Sequence, residues 1–497
     1  MGVGGEFDVG PSANVLIDRI GVAGAGTMGA GIAQLACLGG LETHLHDPSP
    51  EALEAGERRV REGLAKGAER GRWSASDAEV AGGRLRVSRL LEDFRRCELV
   101  IEAAPEDLEV KRALFGRLAD VCGDRTVLAT NTSSLPVTAI AAPVPHPERV
   151  VGMHFFNPPV LIKLVEVVAG DQSAENALAV ATELARRIGR EPVRAADGPG
   201  FLANRVARPF GLEALRLLGE RVSTVEQIDR IVRVGGGFRM GPFELADLIG
   251  VDVNFEVAKS FYAQSFNEPR WQPHPIQARM VQAGRLGRKA GRGYYEYGEG
   301  PHRPEDPPAP APAADATSPA DGAVVEGDGF RAAPVDSASL AAQGADEITV
   351  GYYALPPIAE APLVELTRAP STSEPAAQAA ERFFRGLGKH VEWVGDSPGL
   401  VLGRIVCQVV NEAAFTVQAG IGSSEDVDTA MRLGFNYPRG PLEWGQRIGL
   451  ARVLGVLDGL WAERREERYR AAPLLRRAVA GGESRQLTID SKVKRKE

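Results

Sequence analysis

The sequence predicts an α/β domain, then an all-α domain, with the α domain repeated at the C-terminal end. Three observations carry this. A short β-branched run enters a glycine turn and leaves it as a helix near the N-terminus. The segment from Asp197 onward carries apolar residues at helical spacing. That segment then returns at a constant offset of 199 residues. A chain of 497 residues is also too long for one ordinary core and suggests three or so domains.

The elements follow in order. Ile17 to Val22 reads as a strand, Gly24-Ala25-Gly26-Thr27-Met28-Gly29 as the turn, and Ala30 to Leu38 as a helix. Gly24 permits the tight turn, Gly26 lets backbone approach a pyrophosphate, and Gly29 allows close helix–strand packing. The helix N-terminus then offers free N–H groups and a positive dipole end to the phosphates. A second strand, Glu42 to His46, ends in Asp47, eighteen residues past Gly29. An acid there accepts hydrogen bonds from the ribose hydroxyls and repels a 2′-phosphate. Together these features predict a Rossmann-type domain that binds NAD rather than NADP, with Gly24, Gly26, Thr27, Met28, Gly29 and Asp47 at the cofactor.

A charged helical stretch, Pro50 to Arg72, carries Arg58, Arg59, Arg61, Lys66 and Arg70. It reads either as a solvated face or as cations for an anionic substrate handle. Glu98 to Ala104 and Val127 to Ala129 read as further strands, the second leading into Thr130-Asn131-Thr132-Ser133-Ser134. Polar residues at a strand's C-terminal end lie at the crevice where such sheets bind ligands. Val151 to Pro159 then places His154 at the end of a predicted strand, and Leu164-Val165-Glu166 places a carboxylate at the end of the next. Oxidising a secondary alcohol needs a base that works near neutral pH, and histidine is the natural choice.

With these residues in place, the chain resembles the L-3-hydroxyacyl-CoA dehydrogenases of fatty-acid β-oxidation. The carriers are GAGTMGAGIA, TNTSSL, GMHFFNPP, LVEVV, DGPGFLANR, GFRMGPFELADLIG and GRKAGRGYYEY, in that order from about Leu16 to Tyr297. The resemblance implies that His154 is the general base toward the 3-hydroxyl and that Glu166 orients it. It implies that Ser133 and Asn204 hydrogen-bond the reacting oxygen. Glu106, Lys111, Asn157 and Lys289 would help hold the cofactor. Lys66 and Arg70 are the candidates for acyl-CoA contact, in a stretch that matches the family's pattern poorly. No hydratase-like segment is present, so the resemblance is to the stand-alone enzymes. Tandem helical copies also resemble the form associated with phenylacetate-type degradation, whose substrate is 3-hydroxyadipyl-CoA; 3-hydroxybutyryl-CoA is the competing substrate. Two readings from other classes are a dehydrogenase of a free hydroxy or sugar acid and a non-catalytic NAD-binding structural protein.

The internal repeat separates site from scaffold. Asp197-Gly198-Pro199-Gly200 returns as Asp396-Ser397-Pro398-Gly399, and at the same offset Arg205 meets Arg404 and Glu213 meets Glu412. Backward, Leu164-Val165-Glu166 meets Leu363-Val364-Glu365, so a partial Rossmann-like remnant precedes the second helical copy. In that copy His154 becomes Tyr353, Asn157 becomes Pro356 and Asn204 becomes Gly403, with no phosphate loop and no TNTSSL before them. The second copy therefore cannot run the same reaction. It is expected to pack on the first within the chain, in place of a dimer interface that the single-copy family makes between chains; a homodimer of the whole chain stays open.

The expected divisions are a disordered lead (1–14), the NAD-binding domain (15–196), the first helical domain (197–298) and a Pro/Ala-rich linker (299–345). The remnant (346–395), the second helical domain (396–485) and a basic tail (486–497) follow. The apolar share of 44% and charged share of 25% are those of a soluble globular protein. No apolar run reaches eighteen residues, and the lead lacks the regions of a signal peptide, so neither membrane span nor export is expected. A formal charge of −8 argues against general nucleic-acid binding. Four scattered cysteines without a CxxC pair fit a reducing cytoplasm and no metal.

Overall fold

The computed structural model describes residues 17–482; the expected lead (1–14) and basic tail (486–497) lie outside them. The chain divides into two compact units. One comprises the residues up to 203 together with 420–434, and the other comprises 204–419 together with 435 onward.

The first unit is built on an eight-stranded sheet. Its strands are β1 (Arg19–Ala23), β2 (Glu42–His46), β3 (Leu85–Ser88), β4 (Leu99–Glu102), β5 (Val127–Thr130), β6 (Val150–Phe155), β7 (Leu164–Ala169) and β8 (Glu191–Ala196). They lie in the order β3-β2-β1-β4-β5-β6-β7-β8. Pairing is parallel from β3 through β6 and between β7 and β8, whereas β6 and β7 run antiparallel. All of β4, β5 and β6 is buried, which is why these strands read as continuous apolar runs rather than alternating ones. Strand order reverses between β1 and β4, and such a reversal opens a crevice at the carboxyl ends of the strands. The helices are α1 (Thr27–Leu38), α2 (Pro50–Glu69), α3 (Ala75–Gly82), α4 (Leu108–Val121), α5 (Val137–Ala141) and α6 (Glu175–Arg187). The long charged helix starts where its capping serine predicts: Ser49 Oγ accepts from Ala52 N at 3.1 Å, with Pro50 at the first helical position.

The second unit begins along α7 (Ala203–Gly219), followed by α8 (Val225–Arg230), α9 (Pro242–Ile249), α10 (Val251–Gln264) and α11 (Pro275–Gln282). A five-stranded sheet comes next, β9 (Val325–Gly327), β10 (Phe330–Pro334), β11 (Thr349–Tyr353), β12 (Leu363–Arg368) and β13 (His390–Trp393), with α12 (Glu374–Gly386). Then come α13 (Leu402–Gln418), α14 (Ser424–Phe435), α15 (Pro441–Ile448), α16 (Leu450–Arg464) and α17 (Pro473–Ala480). The bounds of β7, α6 and α7 recur in β12, α12 and α13 at the 199-residue offset. Two peptide bonds, Asn157–Pro158 and Pro356–Pro357, are cis at equivalent places.

Two expected boundaries change. The segment 299–345 is not linker throughout, because β9 and β10 lie inside it and extend the second sheet. Its start is also held: His302 Nε2 and Arg303 Nε lie 2.8 and 2.7 Å from Glu244, and Arg233 meets Asp306 at 3.1 Å. Proline and alanine density hid these strands because they are short and carry few large apolar residues. The second helical domain (396–485) is likewise not one body, since 420–434 belongs to the first unit. There Ala196 N donates to Ile421 O at 2.8 Å. Small residues permit the approach: a Cβ on Gly422 would lie 2.2 Å from Leu202 Cδ1, and one on Gly434 would lie 2.6 Å from Leu164 Cδ2.

Inside the second unit the two helical copies meet crosswise. Arg205 of α7 donates to Glu412 of α13 at 3.1 Å, and Arg404 of α13 donates to Glu213 of α7. Each residue meets the equivalent of the other's partner, as at a two-fold interface between identical chains. The expected packing of the second copy on the first within the chain takes this form.

The remnant copy of the site is closed by its own side chains. Tyr353 and Glu365 stand opposite each other on β11 and β12, and Glu365 accepts from Val401 N and Leu402 N at 2.8 and 3.0 Å. A Cβ on Gly403 would lie 2.3 Å from Tyr353 Cζ, so the tyrosine ring fills the space a side chain there would need. Burial pushes the Glu365 carboxyl from 4.5 up to about 8, against those two N–H bonds. A raised folded-state pKa means the stabilising form is the neutral acid. Its contribution is full below about pH 4.5 and is lost as pH rises toward 8. Between pH 5 and 8 the wild type should therefore lose stability relative to Glu365→Gln, by a few kcal/mol in urea titrations. A difference that does not vary with pH would contradict this burial effect.

Candidate active site

At the carboxyl end of β1 the chain turns through Gly24, whose φ is +114°. A Cβ there would lie 2.4 Å from Ala103 O, and one on Gly29 would lie 1.8 Å from Gly24 O, so both positions require glycine. A Cβ on Gly26 meets nothing within 4 Å: the space beside it is open. Helix α1 starts there, with Thr27 and Met28 in its first turn, without a side-chain cap and without an acid in that turn. Its free N–H groups face that opening, which fits a dinucleotide pyrophosphate. Asp47 Oδ2 accepts from Ala25 N at 2.9 Å and Oδ1 from Ser49 N at 3.0 Å, so the carboxylate also fastens the turn to the end of β2. Arg59 adds a cation at this turn, its Nη1 3.3 Å from Ala25 O. Gly56, where a Cβ would lie 2.7 Å from Ala25 O, lets α2 come this close.

The polar cluster after β5 is organised by Glu106. It accepts from Thr132 Oγ1 at 2.8 Å, Ser133 N at 2.9 Å, Ser134 N at 3.0 Å and Ser134 Oγ at 2.9 Å, with Ser133 Oγ at 3.3 Å. Lys111 Nζ sits 3.3 Å from Glu106 and 2.6 Å from Glu102, both Lys111 and Glu102 fully buried. Burial opposes charge on Glu106, but Lys111 and the hydroxyl and N–H donors prevail and hold its carboxyl below the usual range. Lys111 is thus committed to two carboxylates, while Ser133 remains exposed at the crevice.

His154 and Glu166 face each other across the antiparallel β6–β7 pair. Directly opposed residues share one face of a sheet, which brings two side chains twelve positions apart into contact. His154 Nδ1 lies 2.6 Å from Glu166 Oε2. Glu166 Oε1 accepts from Leu202 N at 3.1 Å and Ala203 N at 2.8 Å, so this carboxylate also fixes the entry into α7. The imidazole packs on Phe156, ring centroids 4.5 Å apart, and on Phe201 at 5.9 Å. Asn131 Oδ1 accepts from Phe155 N at 2.8 Å and holds the end of β6 against the loop after β5. An imidazole fastened at Nδ1 and packed on two rings presents Nε2 as a positioned proton acceptor.

The remaining expected residues lie as follows. Asn157 is exposed just past β6. Asn204 belongs to the second unit, half-buried in the first turn of α7, one residue after Ala203. Lys289, also in the second unit, pairs with Asp252 at 2.7 Å. Lys66 is exposed and pairs with Glu62 at 3.3 Å, and Arg70 is exposed at the end of α2. Sequence reasoning gave no role to Glu102 or Asn131 and passed over the packing of the Phe156 and Phe201 rings against His154. An acid at the end of β4 was a usable signal for Glu102, and Asn131 stands in the polar run after β5; the ring contacts have no signal outside the fold. Among the described residues no group of three or more His, Cys, Asp or Glu side chains is arranged to hold a metal, and no helix is long and apolar enough to cross a membrane.

Comparisons with known proteins fit this geometry. Residues 19–198 match the 3-hydroxyacyl-CoA dehydrogenase, NAD binding domain, and residues 200–297 and 399–494 each match the 3-hydroxyacyl-CoA dehydrogenase, C-terminal domain. The chain is 40% identical over 93% of its length to the 3-hydroxyadipyl-CoA dehydrogenase of Escherichia coli K12, covering 97% of that protein. It is 40% identical over 57% of its length to a probable 3-hydroxybutyryl-CoA dehydrogenase of Bacillus subtilis, covering 98% of it. Among solved structures, 3-hydroxybutyryl-CoA dehydrogenase from Escherichia coli K12 superimposes with a TM-score of 0.87 at 39% identity, over 94% of this chain and 99% of the other. A glycine turn shaped for NAD, a carboxylate-held histidine and these matches lead to one assignment: the chain belongs to the 3-hydroxyacyl-CoA dehydrogenase family.

Proposed function

We propose that the protein oxidises (S)-3-hydroxyacyl-CoA to 3-oxoacyl-CoA with NAD in the cytoplasm. The observation that carries the reading is the 2.6 Å contact between His154 Nδ1 and buried Glu166, at the carboxyl edge of an NAD-binding sheet. NAD, when bound, supplies the hydride acceptor. His154 Nε2 takes the proton of the 3-hydroxyl, and Glu166 stabilises the resulting imidazolium through Nδ1. Ser133 and Asn204 hydrogen-bond the reacting oxygen. Glu106 and Lys111 maintain the loop that carries Ser133 and, with Asn157 and Lys289, contribute to cofactor contact. Lys66 and Arg70 are exposed cations suited to the CoA phosphates, and Arg59 suits the pyrophosphate.

The Escherichia coli matches that cover nearly the whole chain carry names with different substrates, one dicarboxylic and one monocarboxylic. The reading is accordingly a 3-hydroxyacyl-CoA ester with a short acyl group. The test is NADH formation, followed by absorbance, across hydroxyacyl-CoA esters and the corresponding free hydroxy acids. Turnover confined to the CoA esters is expected; turnover of free acids at comparable rates would favour a hydroxy-acid dehydrogenase instead. Four buried free cysteines support a reducing compartment.

A further inference from the structure

A narrow pocket lies wholly within the second unit, lined by α7, α9, α10 and the Phe435–Tyr437 segment, with a cavity volume of about 70 Å³. Most of its wall is apolar, including Leu212, Leu215, Phe243 and Val251. Two polar groups in it are out of balance. Arg208 donates through Nε to Asn204 O at 3.1 Å and lies over the Phe261 ring at 5.1 Å. No carboxylate among the described residues pairs with it. Burial lowers its pKa to about 10, and Tyr437, itself a neutral phenol because burial pushes its pKa well up, lines the same pocket. The contrast along α7 is sharp: Arg205 pairs with Glu412 and Arg216 with Glu213. Tyr437 is 6% exposed, and its hydroxyl meets no hydrogen-bond partner among the described residues.

A half-buried cation beside an unsatisfied hydroxyl in an apolar wall is costly unless an anion completes it. We propose that Arg208 and Tyr437 receive the terminal carboxylate of a dicarboxylic 3-hydroxyacyl group, whose methylenes fill the pocket. The spacing suits a six-carbon chain. Asn204 and Arg208 are four residues apart on one face of α7, a rise of about 6 Å. Three carbon–carbon bonds separate the reacting carbon of such a group from its carboxylate carbon. A guanidinium fork matches a carboxylate in two-point contact, with the tyrosine hydroxyl donating to it as well. This subsite rests on the reading of the protein as a 3-hydroxyacyl-CoA dehydrogenase with Asn204 at the reacting oxygen.

The experiment compares six-carbon 3-hydroxyacyl-CoA esters with and without the terminal carboxylate, in wild type, Arg208→Met and Tyr437→Phe. In wild type, kcat/KM should favour the dicarboxylic ester. Arg208→Met should lower the dicarboxylic-to-monocarboxylic ratio by about 10²-fold or more, and Tyr437→Phe by roughly 10-fold. Calorimetric binding of the same two esters lacking the 3-hydroxyl reads the subsite without turnover. If no ester is oxidised, the proposed reaction fails while calorimetry still decides the subsite. A wild type indifferent to the carboxylate, or ratios unchanged in both variants, overturns the proposal. If Arg208→Met does not fold, Tyr437→Phe decides it.

Discussion

Replacing His154 by alanine should lower kcat/KM for a 3-hydroxyacyl-CoA ester by about 10²–10⁴-fold. The imidazole is the group placed to accept the hydroxyl proton, and its orientation is over-determined. Nδ1 is tied to Glu166, two aromatic rings flank it, and Asn131 holds the strand end beside it. Water entering the vacated space lacks that orientation, so the proton must leave without a prepared acceptor. NADH binding, read by fluorescence, should persist, because Gly24 to Gly29 and Asp47 form their own hydrogen-bonded turn away from the ring. A variant that binds NADH and turns over at near wild-type rates would remove the histidine from the mechanism. Glu166→Gln should also be severe. Its amide nitrogen must face either Nδ1 or the N–H groups of Leu202 and Ala203, whereas the carboxylate accepts from all of them.

The largest loss of stability is expected from Arg404→Met, about 3–5 kcal/mol in urea denaturation. Arg404 is fully buried and donates to Glu213, to Glu220, and to Tyr469 Oη at 2.7 Å. Burial works against charge on Glu213, but Arg404 and Arg216 prevail and hold its carboxyl below the usual range. Without Arg404, that buried carboxylate keeps one cation, Arg216 at 3.2 Å, and the Tyr469 hydroxyl at 3.0 Å, while Glu220 also loses its bond to Arg404. The crosswise counterpart should be milder: in Arg205→Met, Glu412 retains Arg270 at 2.7 Å. Equal losses from the two variants, or none from Arg404→Met, would show that the network adds nothing beyond packing.

Much of the site was legible in the sequence because local geometry demands particular residues. Gly24 and Gly29 leave no room for a Cβ, and Asp47 lies where the second strand must end. The 199-residue offset also carried structural meaning, since whole strands and helices recur at it. Reading failed where composition stood in for structure. The proline- and alanine-rich stretch conceals β9 and β10, which pair with each other, and the pairing of β10 with β11 joins them to the second sheet through backbone hydrogen bonds that propensity did not announce. It failed too where a repeat was taken as a body: 420–434 is equivalent to helical sequence in the first copy, yet it completes the first unit through Ile421, Gly422 and Gly434.

The sequence by itself determined the cofactor turn, the order of the domains around it, the pairing of a single histidine with a carboxylate, and the loss of that histidine in the second copy. Only the tertiary structure decided that His154 and Glu166 are opposed across β6 and β7, that Arg205 and Arg404 exchange carboxylates between the copies, and that Arg208 has none among the described residues. The reason is physical. A turn or a cap is satisfied by neighbours in the chain, so its requirements show in consecutive residues. The partner of a buried charge, or its absence, is set by strand register and helix packing, which join residues hundreds of positions apart.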